Sequence, residues 1–256
     1  MPEGDSVKRT ARRMAALEGH EVTRFDLRVP AFATRDLRGE TVQSSAARGK
    51  HLLLRIGDQT LHTHLRMEGE WAVHPVGTRW RRPAHQVRAL VGSRTLEAVG
   101  FDLGIVEVLP TSHEADALAH LGPDPLGDDW DAVEAAHRLA ADPRAAHVAL
   151  LDQRNVAGFG TEYGAELLFL TGVAPTRPMT EADTLSLVEL GARTIRRNVE
   201  LPIRSFTGVN RRGQNHWVYR RERQPCRRCG TAIQHTRLGA DPTKLRDVFW
   251  CPTCQR

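Results

Sequence analysis

Lysine is scarce in this chain: of 36 basic side chains only Lys8, Lys50 and Lys244 are lysine, and the other 33 are arginine. A lysine kept in so arginine-biased a background points to a place that needs a compact or titratable amine rather than a fixed guanidinium. Cysteine is limited to four residues, all beyond position 225. No apolar run is long enough to cross a membrane, and no apolar leader precedes the first acids. Both absences predict a protein of a reducing cytoplasm with no membrane partner. Internal repeats and low-complexity tracts are missing too, which excludes solenoids and compositional linkers. With 256 residues and 40% hydrophobic content, the chain has core enough for one large or two modest domains and a small module.

The cysteines form two pairs, Cys226-Arg-Arg-Cys229 and Cys251-Pro-Thr-Cys254, separated by a 21-residue span. Two CxxC knuckles at ribbon-like separation bring four thiolates around one tetrahedral Zn2+. Two disulfides or a redox CxxC are the alternatives, and a reducing compartment disfavours the disulfides. Four thiolates leave no open coordination position, so the expected metal is a single structural ion that folds a hairpin.

Charge is distributed unevenly. From Arg193 to Arg228 eleven arginines face only Glu200 and Glu222, a local charge of +9, which leaves −4 for the rest of a chain whose total is +5. Single-sign charge gathered before and inside a zinc ribbon suits a phosphate-binding surface, because neutralising phosphates and releasing counterions dominates affinity for DNA. A solvated arginine-rich face is the plainer alternative, though such faces ordinarily mix signs.

Periodicity divides the chain. Val7, Ala11, Met14 and Ala15 recur at helical spacing from Asp5 to about Leu17, and Gly19 supplies a stop. Between about His20 and Leu109 the pattern changes to short strands: Phe25, Leu27 and Val29 alternate, and HLLLRI, TLHTHLRM, EWAVH, QVRALV, RTLEAV and GIVEVL follow between breaks. So many short strands predict a β-sandwich with a flanking helix. At Leu121-Gly-Pro-Asp-Pro-Leu126 the composition breaks and helical patterns take over, in DWDAVEAAHRLA, AAHVALLDQ, TEYGAELLFLTG and TEADTLSLVELGARTIRRNV. The reading is an α+β multidomain protein: a catalytic sandwich over 1–121, a helical domain over 122–222, and a zinc-ribbon hairpin over 223–256.

Two local features carry chemistry. In Leu150-Leu-Asp-Gln-Arg-Asn-Val-Ala-Gly-Phe-Gly160, two glycines turn a helix-to-helix corner, where Thr161 is placed to cap the next helix and its N–H groups to meet an anion. At the other end of the chain Pro2 and Glu3 stand side by side. With Met1 trimmed, as expected before a small residue, Pro2 becomes a secondary amine able to attack a sugar C1′, and Glu3 a proton donor. A solvated helix start with Pro and acids in the first turn is the alternative.

In order and spacing, PEGDSV, ARGKHLLL, HLRMEGEW, GPDPL, LLDQRNVAGFGTEY with Glu166, PTRP, VYRRERQPCRRCG and FWCPTCQR closely resemble the formamidopyrimidine-DNA glycosylase and endonuclease VIII family of base-excision repair enzymes. The likeness runs through nearly the whole chain and is nearer the endonuclease VIII branch, of actinobacterial type. VGFDLGIVEVL carries no DxRRFG-like element, which the 8-oxoguanine branch uses opposite the lesion. The resemblance implies a catalytic β-sandwich, a helix-two-turn-helix domain and a zinc finger, acting as a monomer on damaged duplex DNA at a bacterial nucleoid. It implies a bifunctional glycosylase and abasic-site lyase for oxidised pyrimidines, working by an N-terminal proline Schiff base with β,δ-elimination. Because a damaged base inside a duplex is out of reach, the nucleotide must be rotated into a pocket.

The same resemblance assigns roles. Pro2 attacks C1′. Glu3, its pKa raised by burial, assists ring opening and base departure. Lys50 assists proton transfer, Met67 fills the vacated stack, and Arg246 reaches the lesion phosphate to promote δ-elimination. The span between the cysteine pairs exceeds the family's usual finger, so Arg237 or Lys244 could share that last role. Three DNA contacts depart from the family pattern: Thr161 replaces an Asn after Gly158-Phe-Gly160, His120 replaces an Arg before the GPD linker, and Arg66 replaces a Gln beside Met67. Two other outcomes stay open, an 8-oxoguanine and formamidopyrimidine glycosylase, and a lesion-DNA binder without turnover.

Overall fold

The computed structural model describes residues 2–256 and divides the chain into two compact units, one ending at Ala119 and the other running from His120 to Arg256. The first unit opens with helix α1 (Gly4–Met14), whose Val7, Ala11 and Met14 lie on one buried face as their spacing dictates. The helix tightens into a 3-10 turn at Ala15–Leu17, and Gly19, at φ +77°, takes the left-handed conformation that releases the chain. Eight strands follow: β1 (Arg24–Leu27), β2 (Val42–Arg48), β3 (His51–Ile56), β4 (Gln59–His64), β5 (Glu70–Pro75), β6 (Val87–Gly92), β7 (Leu96–Phe101) and β8 (Ile105–Pro110). A short helix α2 (Glu114–Leu118) closes the unit.

The strands pair into two four-stranded antiparallel sheets, ordered β1-β6-β7-β5 and β2-β3-β4-β8. Leu27, Trp71, Val91 and Ala98 from the first sheet share one apolar core with Leu52, Leu54, Ile56 and Leu61 from the second and with the buried face of α1. Burying each such large side chain contributes about 1.5–3 kcal/mol. The expected sandwich with a flanking helix is present. Two strand details differ from the sequence pattern. Strand β1 stops at Leu27, because Pro30 starts a 3-10 turn over Pro30–Phe32. Strand β2 was not visible as an apolar alternation: VQSSAAR is polar or small, mostly half-buried, and carries a register irregularity between Val42 and Ser44.

The second unit contains α3 (Ala132–Ala140), α4 (Ala146–Leu151), α5 (Thr161–Thr171) and α6 (Thr184–Val199), followed by the hairpin β9 (Gln234–Leu238) and β10 (Arg246–Trp250). Helix α5 is buried along nearly its whole length and stands between two cores. Tyr163, Leu167 and Leu168 face the helices, while Ala165 and Phe169 face Val218, Ile233, Phe249 and the cysteines. The last helical pattern begins later than its apolar spacing implied. Met179–Glu181 forms a separate 3-10 turn, and α6 starts after Asp183, whose carboxylate accepts the Ser186 N–H at 3.0 Å. Among the described residues, no helix is long and apolar enough to cross a membrane.

Candidate active site and metal centre

In the first unit the sequence-selected residues lie at the start of α1 and on two turns. Glu3 occupies the N-cap position of α1 and is fully buried, its carbonyl accepting the N–H groups of Ser6 at 2.9 Å and Val7 at 3.1 Å. Pro2 precedes it and is half-buried. The expected trimming of Met1 lies outside the described residues. Lys50 sits on a turn, not at a strand start: Arg48 pairs with His51, leaving Gly49-Lys50 as a two-residue loop between β2 and β3. Gly49 has φ +57° and Lys50 does not, the pattern of a primed hairpin turn with glycine first.

The next turn, Leu65–Gly69, closes with Gly69 N–H donating to the Leu65 carbonyl at 2.9 Å. A Cβ on Gly69 would collide with that carbonyl, so the turn needs glycine. Met67 projects from it 65% exposed, which is not a core methionine. Arg66 is exposed, takes the left-handed conformation at φ +50°, and donates its N–H to His64 Nδ1 at 2.9 Å.

His64 was missed in the sequence reading. Burial first, then the positive charges of Lys50 and Arg66, push it down to about 4, which leaves it neutral at pH 7. Its ring meets that of His51 edge-on at 5.0 Å. His51 Nδ1 lies 2.8 Å from His62 Nε2, and His62 Nδ1 lies 3.2 Å from a Glu107 carboxylate oxygen. The available signal was strand alternation, since His-Thr-His in β4 puts His62 and His64 on one face, with His51 opposite His64 in register.

In the second unit the glycine corner is built by side chains. The Gln153 amide donates to the carbonyls of Leu151 and Phe159, each at 2.8 Å, and accepts the Gly158 N–H at 2.9 Å. Gly122 of the linker donates to the Gln153 carbonyl at 2.8 Å, and a Cβ there would meet the Arg154 carbonyl at 2.5 Å. The cap of α5 falls to Gly160 without a side-chain bond. Thr161 is instead the first helical residue and is buried, which corrects its expected capping role. His120 is exposed at the start of the unit.

Next to Thr161, the buried Glu162 carboxylate accepts from Arg204 Nη1 and lies 2.8 Å from His216 Nε2. Burial pushes this carboxyl up, but the His216 hydrogen bond and the Arg204 charge outweigh it and hold the group below its ordinary value. Glu166, one turn further, accepts three backbone N–H groups, from Trp217 at 2.8 Å, Val218 at 2.9 Å and Tyr219 at 2.8 Å. These anchors fix the arginine-rich segment that leads into the cysteines.

No S–S bond joins any of the four cysteines, and their sulfurs lie within 4.8 Å of one another, a single cluster rather than two bridged pairs. Cys226 and Cys254 Sγ are 4.0 Å apart, Cys229 and Cys251 Sγ 3.4 Å. A tetrahedral ion with metal–sulfur bonds near 2.3 Å sets its ligands about 3.8 Å apart, so the donor set fits one thiolate-bound metal. The exposed Arg246 opens β10 opposite Leu238 and donates to the Leu245 carbonyl at 3.2 Å. Lys244 pairs with Asp241 at 3.5 Å, and Arg237 faces Asp247 across the hairpin.

Residues 1–99 match the model of the formamidopyrimidine-DNA glycosylase N-terminal domain, and residues 121–203 that of its helix-two-turn-helix domain. The chain belongs to the formamidopyrimidine-DNA glycosylase family. Within that family it is 48% identical to a probable endonuclease 8 2 of Streptomyces coelicolor, covering 100% of this chain and 94% of that one. It is 45% identical to the DNA-(apurinic or apyrimidinic site) lyase Nei2 of Mycolicibacterium smegmatis, covering 100% and 99%. Lactococcus lactis Fpg, crystallised with DNA containing an oxidised pyrimidine, superposes over 100% of both chains at TM-score 0.84 and 24% identity, a likeness of fold.

Proposed function

We propose that this chain excises oxidised pyrimidines from duplex DNA as a monomer in the bacterial cytoplasm, at the nucleoid, and then cleaves the abasic strand by β,δ-elimination. The reaction class, DNA glycosylase with abasic-site lyase activity in base excision repair, comes with family membership. The endonuclease 8 names of the 43–48% identical relatives support the pyrimidine preference, as does the missing DxRRFG-like element.

The carrying observation is the fully buried Glu3 carboxyl next to a half-buried Pro2 at the head of α1. Pro2 nitrogen would attack C1′ as the base–sugar bond breaks, with Glu3 delivering the proton that opens the sugar ring. The resulting iminium acidifies C2′, and loss of that proton expels the 3′ phosphate. A second elimination expels the 5′ phosphate. The Lys50 charge is felt at neutral His64, so one would contribute charge and the other a neutral donor or acceptor toward a phosphate. Arg246 would hold a phosphate from the finger, while Arg66, His120 and Thr161 add DNA contacts and Met67 occupies the emptied stack. Cys226, Cys229, Cys251 and Cys254 would hold one Zn2+, which when bound supplies a cross-link between the two knuckles and no reacting position.

Borohydride trapping tests this reading on duplexes carrying 5,6-dihydrouracil, thymine glycol, 8-oxoguanine or an abasic site. An adduct mapped to Pro2, strongest with the pyrimidine lesions and lost in Pro2→Gly, is the expected result. Stronger trapping on 8-oxoguanine would move the chain to the purine branch. Binding without any adduct would leave a lesion binder.

A further inference from the structure

One side chain that the mechanism does not use ties the Met67 turn to its neighbour. Arg82 belongs to the segment between β5 and β6, which lies on the outer face of the β1-β6-β7-β5 sheet, where Trp80 meets Phe101 edge-on at 6.1 Å beside buried Val87, Leu90 and Val99. The guanidinium sits 5.6 Å above the Phe101 ring. From there it donates three ways: Nε to Gln86 Oε1 at 3.0 Å, Nη1 to the Glu68 carbonyl at 3.1 Å, and Nη2 to the Asp102 carboxylate.

Glu68 follows Met67 in the Leu65–Gly69 turn, and Asp102 follows Phe101 in the turn from β7 to β8. One planar fork therefore spans both turns. Each turn also holds a non-glycine residue in the left-handed region, Arg66 at φ +50° and Asp102 at φ +45°. Such a residue is strained and persists only where its surroundings over-determine it. Gly104 donates to the His64 carbonyl at 2.9 Å and lies so close to the Arg66 side chain that a Cβ would not fit. The Asp102 N–H donates to the Gln86 carbonyl at 2.8 Å, and Arg82 grips both Gln86 and Asp102. Arg82 and Asp102 are about a quarter exposed, so water screens the pair only in part.

We propose that Arg82 is a positioning residue for base extrusion. By bridging the Glu68 carbonyl and the Asp102 carboxylate, it presets the turn that carries Met67, so the thioether enters the stack without first ordering its own backbone. The assignment rests on the reading of Met67 as the residue that fills the emptied stack. Lysine could not do the same, since an ammonium lacks the fork that reaches two acceptors at fixed angles.

The test compares single-turnover release of 5,6-dihydrouracil from a duplex with incision of a single-stranded oligonucleotide carrying a preformed abasic site, where there is no pair to open. The variants are Met67→Ala, Arg82→Gln, Arg82→Lys and the Met67→Ala/Arg82→Gln double. Arg82→Gln is expected to slow base release from duplex about tenfold, the effect of losing a charge-assisted hydrogen bond, while single-strand incision stays within about twofold. Arg82→Lys should recover little, and the double variant should be no slower than Met67→Ala, because both changes act on one step. Equal losses on the two substrates would mean a general structural defect and overturn the proposal. Additive losses would do the same, as would an unimpaired Arg82→Gln beside an impaired Met67→Ala. If Met67→Ala itself releases base at the wild-type rate, the reading of Met67 fails and the role of Arg82 falls with it.

Discussion

The sandwich and the helical unit hold their functional segments in different ways. In the sandwich the Lys50 turn joins two strands that pair with each other, and the Arg66–Met67 turn passes from β4 in one sheet to β5 in the other, so most of the backbone around both is satisfied within the sheets over a shared apolar core. In the helical unit the corner at 152–160 and the stretch at 200–225 have little regular backbone pairing. Their buried N–H and C=O groups must find side chains instead. Glu166 takes three N–H groups, the Asn198 side chain accepts the Ser205 N–H at 2.9 Å, and the Asn215 amide donates to the Arg204 carbonyl at 2.8 Å. The first unit should therefore be sensitive to lost volume, and the second to single lost polar atoms.

Metal removal should break that contrast most sharply. Chelation or Cys251→Ser is expected to lower cleavage of abasic-site duplex on the order of 100-fold or more, while amide protection in β3 and β4 persists. Hydrogen exchange followed by mass spectrometry checks the second half, and joint loss of protection would mean that the two units do not unfold separately. Next in size, Glu166→Ala leaves three backbone donors, two of them on buried residues, without an acceptor and should cost about 3–5 kcal/mol. Leu54→Ala in the sandwich should cost about 2–5 kcal/mol through its cavity. Denaturant titration measures both. Partial recovery in Glu166→Gln with none in Glu166→Leu would assign the loss to hydrogen bonding rather than volume.

A smaller and opposite effect is expected at His147. This α4 side chain is buried with no hydrogen-bond partner for either ring nitrogen among the described residues, and burial holds it down at about 4. The unfolded chain takes up a proton below its ordinary value of 6.5, the folded chain only below about 4. Stability is thus lost as pH falls from 6.5 toward 4, by up to about 3 kcal/mol from this residue. His147→Leu should remove that slope and raise Tm at pH 5 more than at pH 7.5. The smallest effect should come from Val133→Thr, a 71% exposed position on α3, which is expected to change stability by about 0.5 kcal/mol or less.

Legibility in the sequence followed the same division. Strands β3 to β8 were readable because each alternates or runs apolar against a shared core, and α5 and α6 because their apolar spacing is helical. Strand β2 was not, since its small polar residues gain their places from pairing with β3 rather than from a pattern of their own. The cysteine pairs and the Pro2-Glu3 start stand out because their chemistry is local to a few residues. The cluster joins Glu162 to Arg204 and His216, each more than 40 positions away, and His64 acquires its neutral state from burial first and then from Lys50 and Arg66. No spacing rule announces such partners. The exposure of Met67 was equally hidden, because methionine is as much at home inside a core as outside one.

Helix α5 forms a wall of two cores, with Tyr163, Leu167 and Leu168 on the bundle side and Ala165 and Phe169 on the cysteine side. A metal bound by the four thiolates would draw on the order of that one helix, and so would the packing of α3, α4 and α6. The ion's dissociation constant then becomes a gauge of bundle integrity. By linkage, a substitution far from any sulfur that loosens the helices would weaken metal retention, and metal loss would loosen the helices through the same coupling free energy.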